Sequence, residues 1–192
     1  NGKKYCYVNN QRVTGERQIG GHWYYFDGNG VMQTGFVNLG SKTVYYNSDG
    51  QMLYGERKIN NAWYYFDIIT GARITGFYNL PGKTVYYGSD GQMRYGEQKI
   101  NNAWYCFDTI TGARVTGFYN LSGRIVYYGA DGKMRYGEQK INNAWYCFDT
   151  ITGARVTGFY NLSGRIVYYG ADGKMRYGEQ KINNAWYCFD TI

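Results

Sequence analysis

The stretch Gly96-Glu97-Gln98-Lys99-Ile100-Asn101-Asn102-Ala103-Trp104-Tyr105-Cys106-Phe107-Asp108 recurs letter for letter at 137–149 and at 178–190. A looser copy, Gly55-Glu56-Arg57-Lys58-Ile59-Asn60-Asn61-Ala62-Trp63-Tyr64-Tyr65-Phe66-Asp67, precedes it, and a more divergent one begins at Gly15. Self-similarity at a fixed spacing decides the architecture before any local feature does. Each repeat is one small unit that needs its neighbours to bury its apolar surface. A glycine opens every unit, and after Gly55 the steps between these glycines alternate between 20 and 21 residues. The true repeat is therefore a pair of modules, 41 residues long, and from Val115 onward the chain copies itself at that spacing.

Each module carries two short strand signals around a turn. In the quoted stretch these are Glu97–Asn101 and Ala103–Asp108, with Asn101-Asn102 between them, and Asn tolerates the positive φ that a tight hairpin demands. The partner module, Phe77 to Tyr87, turns at Pro81-Gly82, the signature of a type II turn, and Ser122-Gly123 and Ser163-Gly164 take that place in later copies. Aromatic and β-branched residues dominate the second strands, and no helical period is present. Polar loops follow: Asp108-Thr109-Ile110-Thr111-Gly112 in one module, Gly88-Ser89-Asp90-Gly91 in the other. The pattern predicts a half hairpin over 1–14 and nine modules: 15–34, 35–54, 55–75, 76–95, 96–116, 117–136, 137–157, 158–177 and 178–192.

One hairpin alone is marginal in water, so successive hairpins must stack and share a core. Alternation puts Tyr105 and Phe107 on one face, and Trp104, Cys106 and Asp108 on the other. Tyr105, Phe107, Val126 and Tyr128 are expected in the core, with Met93, Met134 and Met175 filling irregular gaps from inside. Aromatics make up 20% of the chain, and 24 residues are Tyr, a side chain that buries a ring while keeping a polar edge. That suits thin layers, half core and half surface.

The net charge is +7, which favours anionic partners. The cations are spread through the repeats with no basic run, so nucleic acid is not an expected partner. No apolar stretch approaches the length of a membrane span, so no membrane insertion is expected. Beginning at a turn (Asn1-Gly2) and stopping in a loop (Thr191-Ile192), the sequence reads as a segment of a longer protein.

The motif Ala-Trp-Tyr-Cys-Phe-Asp, its Asp/Gly loop and the recurring Thr-Gly-Phe or Tyr-Gly-Glu resemble the cell-wall-binding repeats of bacterial surface proteins. That superfamily includes choline-binding modules, glucan-binding repeats and the C-terminal repeats of the large clostridial toxins. The resemblance covers essentially the whole chain. It implies an all-β fold, a β-solenoid of stacked hairpins each rotated about a third of a turn from the last. It also implies a non-catalytic role on wall polymer or glycan. In the choline-binding branch the ligand sits among an aromatic after the module glycine, a Trp opening the second strand, and an aromatic of the next hairpin. The matching positions here are Glu16, Trp23 and Tyr45; Glu56, Trp63 and Tyr86; Glu97, Trp104 and Tyr127; Glu138, Trp145 and Tyr168; and Glu179 with Trp186. A carboxylate thus stands where that branch has Trp. The alternate modules offer Phe77, Thr84 and Cys106, then Phe118, Ile125 and Cys147, then Phe159, Ile166 and Cys188. A Trp, a Tyr and a carboxylate suit a sugar as well as a choline: rings stack on the apolar sugar face and the carboxylate accepts from hydroxyls. The competing assignment is a surface ladder in which Trp104 packs on its neighbour and Glu97 pairs with a Lys or Arg.

Cys6, Cys106, Cys147 and Cys188 occupy one equivalent position. With three hairpins per turn they point in different directions, too far apart for bridging, so free, semi-buried thiols are expected in the place of Tyr25 and Tyr65. No Cys or His pairing supports zinc, and the Asp-Gly pairs at 49, 90, 131 and 172 lack calcium's alternating oxygens and read as turns. The single His22 reads as a solvated turn residue. No nucleophile with a base and no phosphate-cradling loop is present, and verbatim copies offer multivalency where catalysis needs one unique constellation. The reading is an elongated, non-enzymatic module without cofactors. It holds a secreted or surface bacterial protein on extracellular wall polymer, whether teichoic acid, choline-decorated polymer or glucan, or on another glycan. Two alternatives stand beside it: a structural stalk whose exposed hairpin edges self-associate end to end, and a host-glycan-binding toxin tail.

Overall fold

The computed structural model describes residues 2–190, so Asn1 of the opening turn and the loop residues Thr191-Ile192 lie outside the described residues. It divides into two compact units, Asn1–Arg94 and Tyr95–Ile192. The regular structure among the described residues is all strand: twenty short strands, each paired antiparallel with its sequence neighbour. No helix there is long and apolar enough to cross a membrane.

The quoted stretch forms strands Gly96–Ile100 and Ala103–Phe107, in register from Gly96↔Phe107 to Ile100↔Ala103. The first strand ends one residue before the expected Asn101. Asn101 and Asn102 both take positive φ, 48° and 62°, the type I′ geometry whose twist matches a hairpin. In the hairpin Gly76–Leu80 and Lys83–Tyr87, only Gly82 of the Pro81-Gly82 turn has positive φ, as in type II. Ser122-Gly123 differs, with both residues positive at 50° and 91°. The later copies therefore replace the type II turn with a type I′ turn. His22 opens strand His22–Phe26 instead of sitting in the turn, because Gly20 and Gly21 supply both turn positions.

At the chain start, Tyr7–Val8 pairs with Gln11–Arg12 around Asn9-Asn10. The carbonyls of Lys4 and Cys6 accept from Met32 and Val13, as those of Trp23 and Tyr25 accept from Met52 and Gln33. Lys4–Tyr7 thus lies where other modules place a second strand.

Alternation suggests one buried and one open face. In hairpins inside a unit both faces are instead covered, by different neighbours. In the second unit Tyr146 and Phe148 face back onto Phe118, at ring separations of 5.0 and 6.2 Å. Cys147, between them in sequence, faces forward onto Val167, Tyr169 and Met175. Cys106 likewise packs on Val126, Tyr128 and Met134. In the first unit Tyr64 and Phe66 face back onto Phe36. The expected core residues Tyr105, Phe107, Val126, Tyr128, Met93, Met134 and Met175 are all buried. Burying a valine such as Val126 completely stabilises by about 1.5–3 kcal/mol. Cys106 and Cys147 depart from the semi-buried expectation, at 2% and 1% exposure, because the following hairpin closes over them. Cys6 is half-buried and Cys188 exposed, and all four thiols are free.

Candidate functional site

Backbone hydrogen bonds between hairpins fix the surroundings of Trp104. The Met134 N–H donates to the Trp104 carbonyl, and the Arg135 N–H donates to Tyr127 of its own hairpin, both at 2.8 Å. The segment leading into Gly137 is thereby stitched along the second strand of the preceding hairpin. Met134 and Tyr136 come to line one cavity with the Trp104 indole, which keeps 37% of its surface exposed. Glu97, from the strand paired with that of Trp104, lies on the same cavity of about 180 Å³.

A cation from the next hairpin fills one side. Arg124 donates from Nη2 to both Glu97 carboxylate oxygens, at 3.2 and 3.3 Å, and from Nη1 to the Thr152 carbonyl at 2.7 Å. One side chain therefore ties three successive hairpins together. The loop bearing Thr152 is held by Asp149, whose Oδ1 accepts from the Thr152 N–H and hydroxyl and from the Ile151 N–H. Those hydrogen bonds, the Thr152 N–H first, hold the Asp149 carboxyl below its usual range. Held this way, the loop presents Ile151 at 86% exposure as the lip of the cavity. Burial, then the Glu97 carboxylate, push the Tyr136 phenol up against the opposing pull of Arg124.

The first unit contains the same arrangement. Glu16 and Trp23 share a cavity of about 180 Å³ with Met52 and Tyr54, and Ile69 forms its lip. Lys42 takes the place of Arg124, donating to Glu16 at 3.2 Å and to the Thr70 carbonyl at 3.1 Å. Burial, then the carboxylate of Glu16, push the Tyr54 phenol up.

Of the expected trio, the structure brings Glu97 and Trp104 together, and Glu16 and Trp23. It does not bring Tyr127 or Tyr45 to these cavities. Tyr127 is half-buried and stacks on Phe148 at 6.0 Å, and Tyr45 sits 6.2 Å from Phe66, each facing the hairpin after its own. Tyr168 stacks on Phe189, and Tyr86 packs edge-on against Phe77 of its own hairpin. Sequence alternation places Tyr127 and Val126 on opposite faces, but the second face is covered as well. The second ring of the cavity is Tyr136 or Tyr54, one residue before a module glycine, a position the strand pattern treated as connecting segment. Arg124, Lys42, Ile151 and Ile69 were also not singled out by sequence. The recurrence of a cation immediately after the partner module's turn was the available signal. Glu56 is half-buried beside exposed Trp63. Trp145 is half-buried against the Cys147 cluster, near exposed Glu138. Glu179 is exposed, and Trp186 keeps 69% of its surface. Among the described residues, no group of three His, Cys, Asp or Glu side chains is placed to hold a metal ion.

The choline-binding repeat family matches three overlapping segments, 33–76, 74–117 and 115–157, and a putative cell wall binding repeat matches 17–32. The chain belongs to the choline-binding repeat family. Among solved structures, this choline-binding repeat array is similar to choline-binding protein F from Streptococcus pneumoniae, solved in the presence of a peptidoglycan analogue. The identity is 27% and the TM-score 0.74, over 81% of this chain and 56% of that protein, so the array spans little more than half of it. It is also similar to the choline-binding domain of CbpL from Streptococcus pneumoniae, with 27% identity and TM-score 0.62 over 87% and 88% of the two chains. CbpJ from Streptococcus pneumoniae TIGR4 shares the fold at 22% identity and TM-score 0.73, over 100% and 90%. No curated protein sequence matches the array.

Proposed function

We propose that this chain is a non-catalytic, multivalent binding module that holds a secreted or surface bacterial protein on extracellular wall polymer or glycan. One observation carries the reading: the same cavity occurs in both units, with a carboxylate, a Trp, a Tyr, a Met, a bridging cation and an isoleucine lip. Repetition of one shallow site suits avidity, in which weak contacts gain strength through effective concentration. The carboxylate in each cavity is already matched by Lys42 or Arg124. What remains for a ligand is ring faces, an apolar lip and polar edges, which fit a sugar or polyol unit. That choline-binding protein F was solved with a tetrasaccharide-pentapeptide agrees with a glycan reading.

The test is to measure binding to purified walls and glycan arrays for versions with one, two and four 41-residue pairs, with and without choline. Steeply rising affinity is expected, and flat binding refutes multivalency in favour of a stalk. Replacing Trp104 and Trp145 by Ala is expected to weaken each site about tenfold, as truncation of a buried-rim aromatic anchor does. The circular-dichroism spectrum should be retained, because Tyr105, Phe107 and Tyr146 supply the core.

A further inference from the structure

The wall of each carboxylate cavity comes from a hairpin that carries a tryptophan of its own. Ile151 and Thr152 line the Trp104 cavity, yet they follow strand Ala144–Phe148, which holds Trp145. Ile69 and Thr70 line the Trp23 cavity and follow strand Ala62–Phe66, which holds Trp63. In each unit the contribution skips over the hairpin between. The cleft beside Trp145 is lined instead by Lys174, Met175 and Tyr177 of the following hairpin.

Fixed chemistry at both ends carries the loop across. At its start, Asp149 Oδ1 accepts from the Ile151 N–H at 3.1 Å, the Thr152 N–H at 2.7 Å and the Thr152 hydroxyl at 2.8 Å. The Gly153 N–H donates to the Asp149 carbonyl and the Asp149 N–H to the Ala154 carbonyl, so the loop closes on itself. At its end, the Arg155 N–H donates to the Ile125 carbonyl at 2.6 Å, beside Arg124 of the hairpin between. Gly153 then permits the close approach. It is buried with a φ of +69°, and a Cβ there would run into Met134, with Tyr136 the next residue met. Both of those side chains line the Trp104 cavity. The shorter loop of the alternate module points elsewhere, since a Cβ at Gly132 would meet Arg114. The first unit repeats each contact. Asp67 Oδ1 accepts from Ile69 and Thr70, the Arg73 N–H donates to Thr43 beside Lys42, and a Cβ at Gly71 would meet Met52 and Tyr54.

We propose that Asp149 and Asp67 are positioning residues for binding: each holds its loop as the wall of the cavity whose tryptophan, Trp104 or Trp23, lies two hairpins earlier. Each of these sites therefore spans three successive hairpins, and the hairpin carrying Trp145 also completes the Trp104 site. The inference rests on the binding-module reading and concerns which residues shape the cavity, whatever occupies it.

Asp149 lies four residues from Trp145 in sequence but acts, on this proposal, at Trp104. Two full-length proteins each keep one tryptophan, Trp104 or Trp145, with the others replaced by Phe, and each is compared with and without Asp149→Ala. Acrylamide quenching reads the cavity without any ligand, and fluorescence titration with dextran, poly(glycerol phosphate) and choline chloride reads binding. Expected are stronger quenching of Trp104 and a loss of about fivefold in affinity there for whichever probe binds, the equivalent of a net hydrogen bond. Trp145 is expected to stay unchanged in both readouts. Asp149→Asn should restore both at Trp104, because an amide oxygen accepts the same hydrogen bonds, as Asn47 Oδ1 does from the Asp49 and Gln51 N–H groups. Should circular dichroism show that Asp149→Ala unfolds the chain, the milder Thr152→Ala is expected to shift Trp104 in the same direction. No change at Trp104, or an equal change at Trp145, overturns the proposal while probe binding by the parent protein leaves the binding-module reading standing. A parent protein that binds none of the probes fails that reading separately, since quenching still reports whether the loop is the wall of the Trp104 cavity.

Discussion

Arg124→Met is the sharpest probe of the carboxylate cavity. The substitution keeps an apolar stem and removes the guanidinium that lies 3.2 Å from Glu97 and donates to Thr152 at 2.7 Å. Both charged side chains keep about a third of their surface in water, 35% and 29%. The ion pair is therefore screened and contributes about 1 kcal/mol at most. Loss of the hydrogen bond to Thr152 costs about 1 kcal/mol more, since that carbonyl can turn to water. Together these lower the melting temperature by about 4–8 °C for a chain of this size. The more informative consequence is chemical. Glu97 then faces the cavity without a partner, next to Trp104 and Tyr136. A quaternary ammonium entering there recovers about 1 kcal/mol of the lost pairing, which is about fivefold in affinity. Titration of the single-cavity response by tryptophan fluorescence or calorimetry, with choline for the variant and wild type, checks this. Tighter choline binding together with weaker or unchanged sugar binding is expected. Choline affinity that stays the same or falls refutes the idea that the chain's own cation occupies the place of an external one.

Two further outcomes test the packing. Gly132→Ala is expected to cost about 2–3 kcal/mol, because its φ of +80° disfavours a side chain and a Cβ would run into Arg114, which donates to Asp131 and Ala130. Gly123→Ala shares the positive φ but meets open space, so chemical denaturation should show only about 1 kcal/mol. The second outcome concerns alkaline pH. Burial first, then nearby Glu16, Cys106 or Cys147, raise the phenols of Tyr46, Tyr128 and Tyr169 well above the ordinary tyrosine range. Their neutral forms are favoured in the folded state. The associated stability is complete below about pH 10 and is lost as pH rises through and beyond it. Denaturation midpoints measured from pH 8 to 12 should fall above about pH 10, and Tyr128→Phe should flatten that fall.

Much of the molecule was legible in the letters. The alternation of strand and turn, the 41-residue pair and the positive-φ turn residues are local properties, and Asn101-Asn102 or Pro81-Gly82 impose them wherever they stand. The placement of Tyr105 and Phe107 in the core followed from the two-residue period of a strand. What the period could not supply is what covers the opposite face. Cys106 was read as semi-buried and Tyr127 as a ligand contact, yet each packs against a neighbouring hairpin of its own unit. The candidate site divides along the same line. Glu97 and Trp104 belong to paired strands and were found from sequence alone. Their companions Arg124, Tyr136 and Ile151 lie one and two hairpins further on, and only the stacking of hairpins brings them to the same cavity. Sequence thus determined the repeating unit, since local backbone chemistry sets it. Tertiary structure decided which side chains meet, because a contact between hairpins depends on how one unit is laid upon the next.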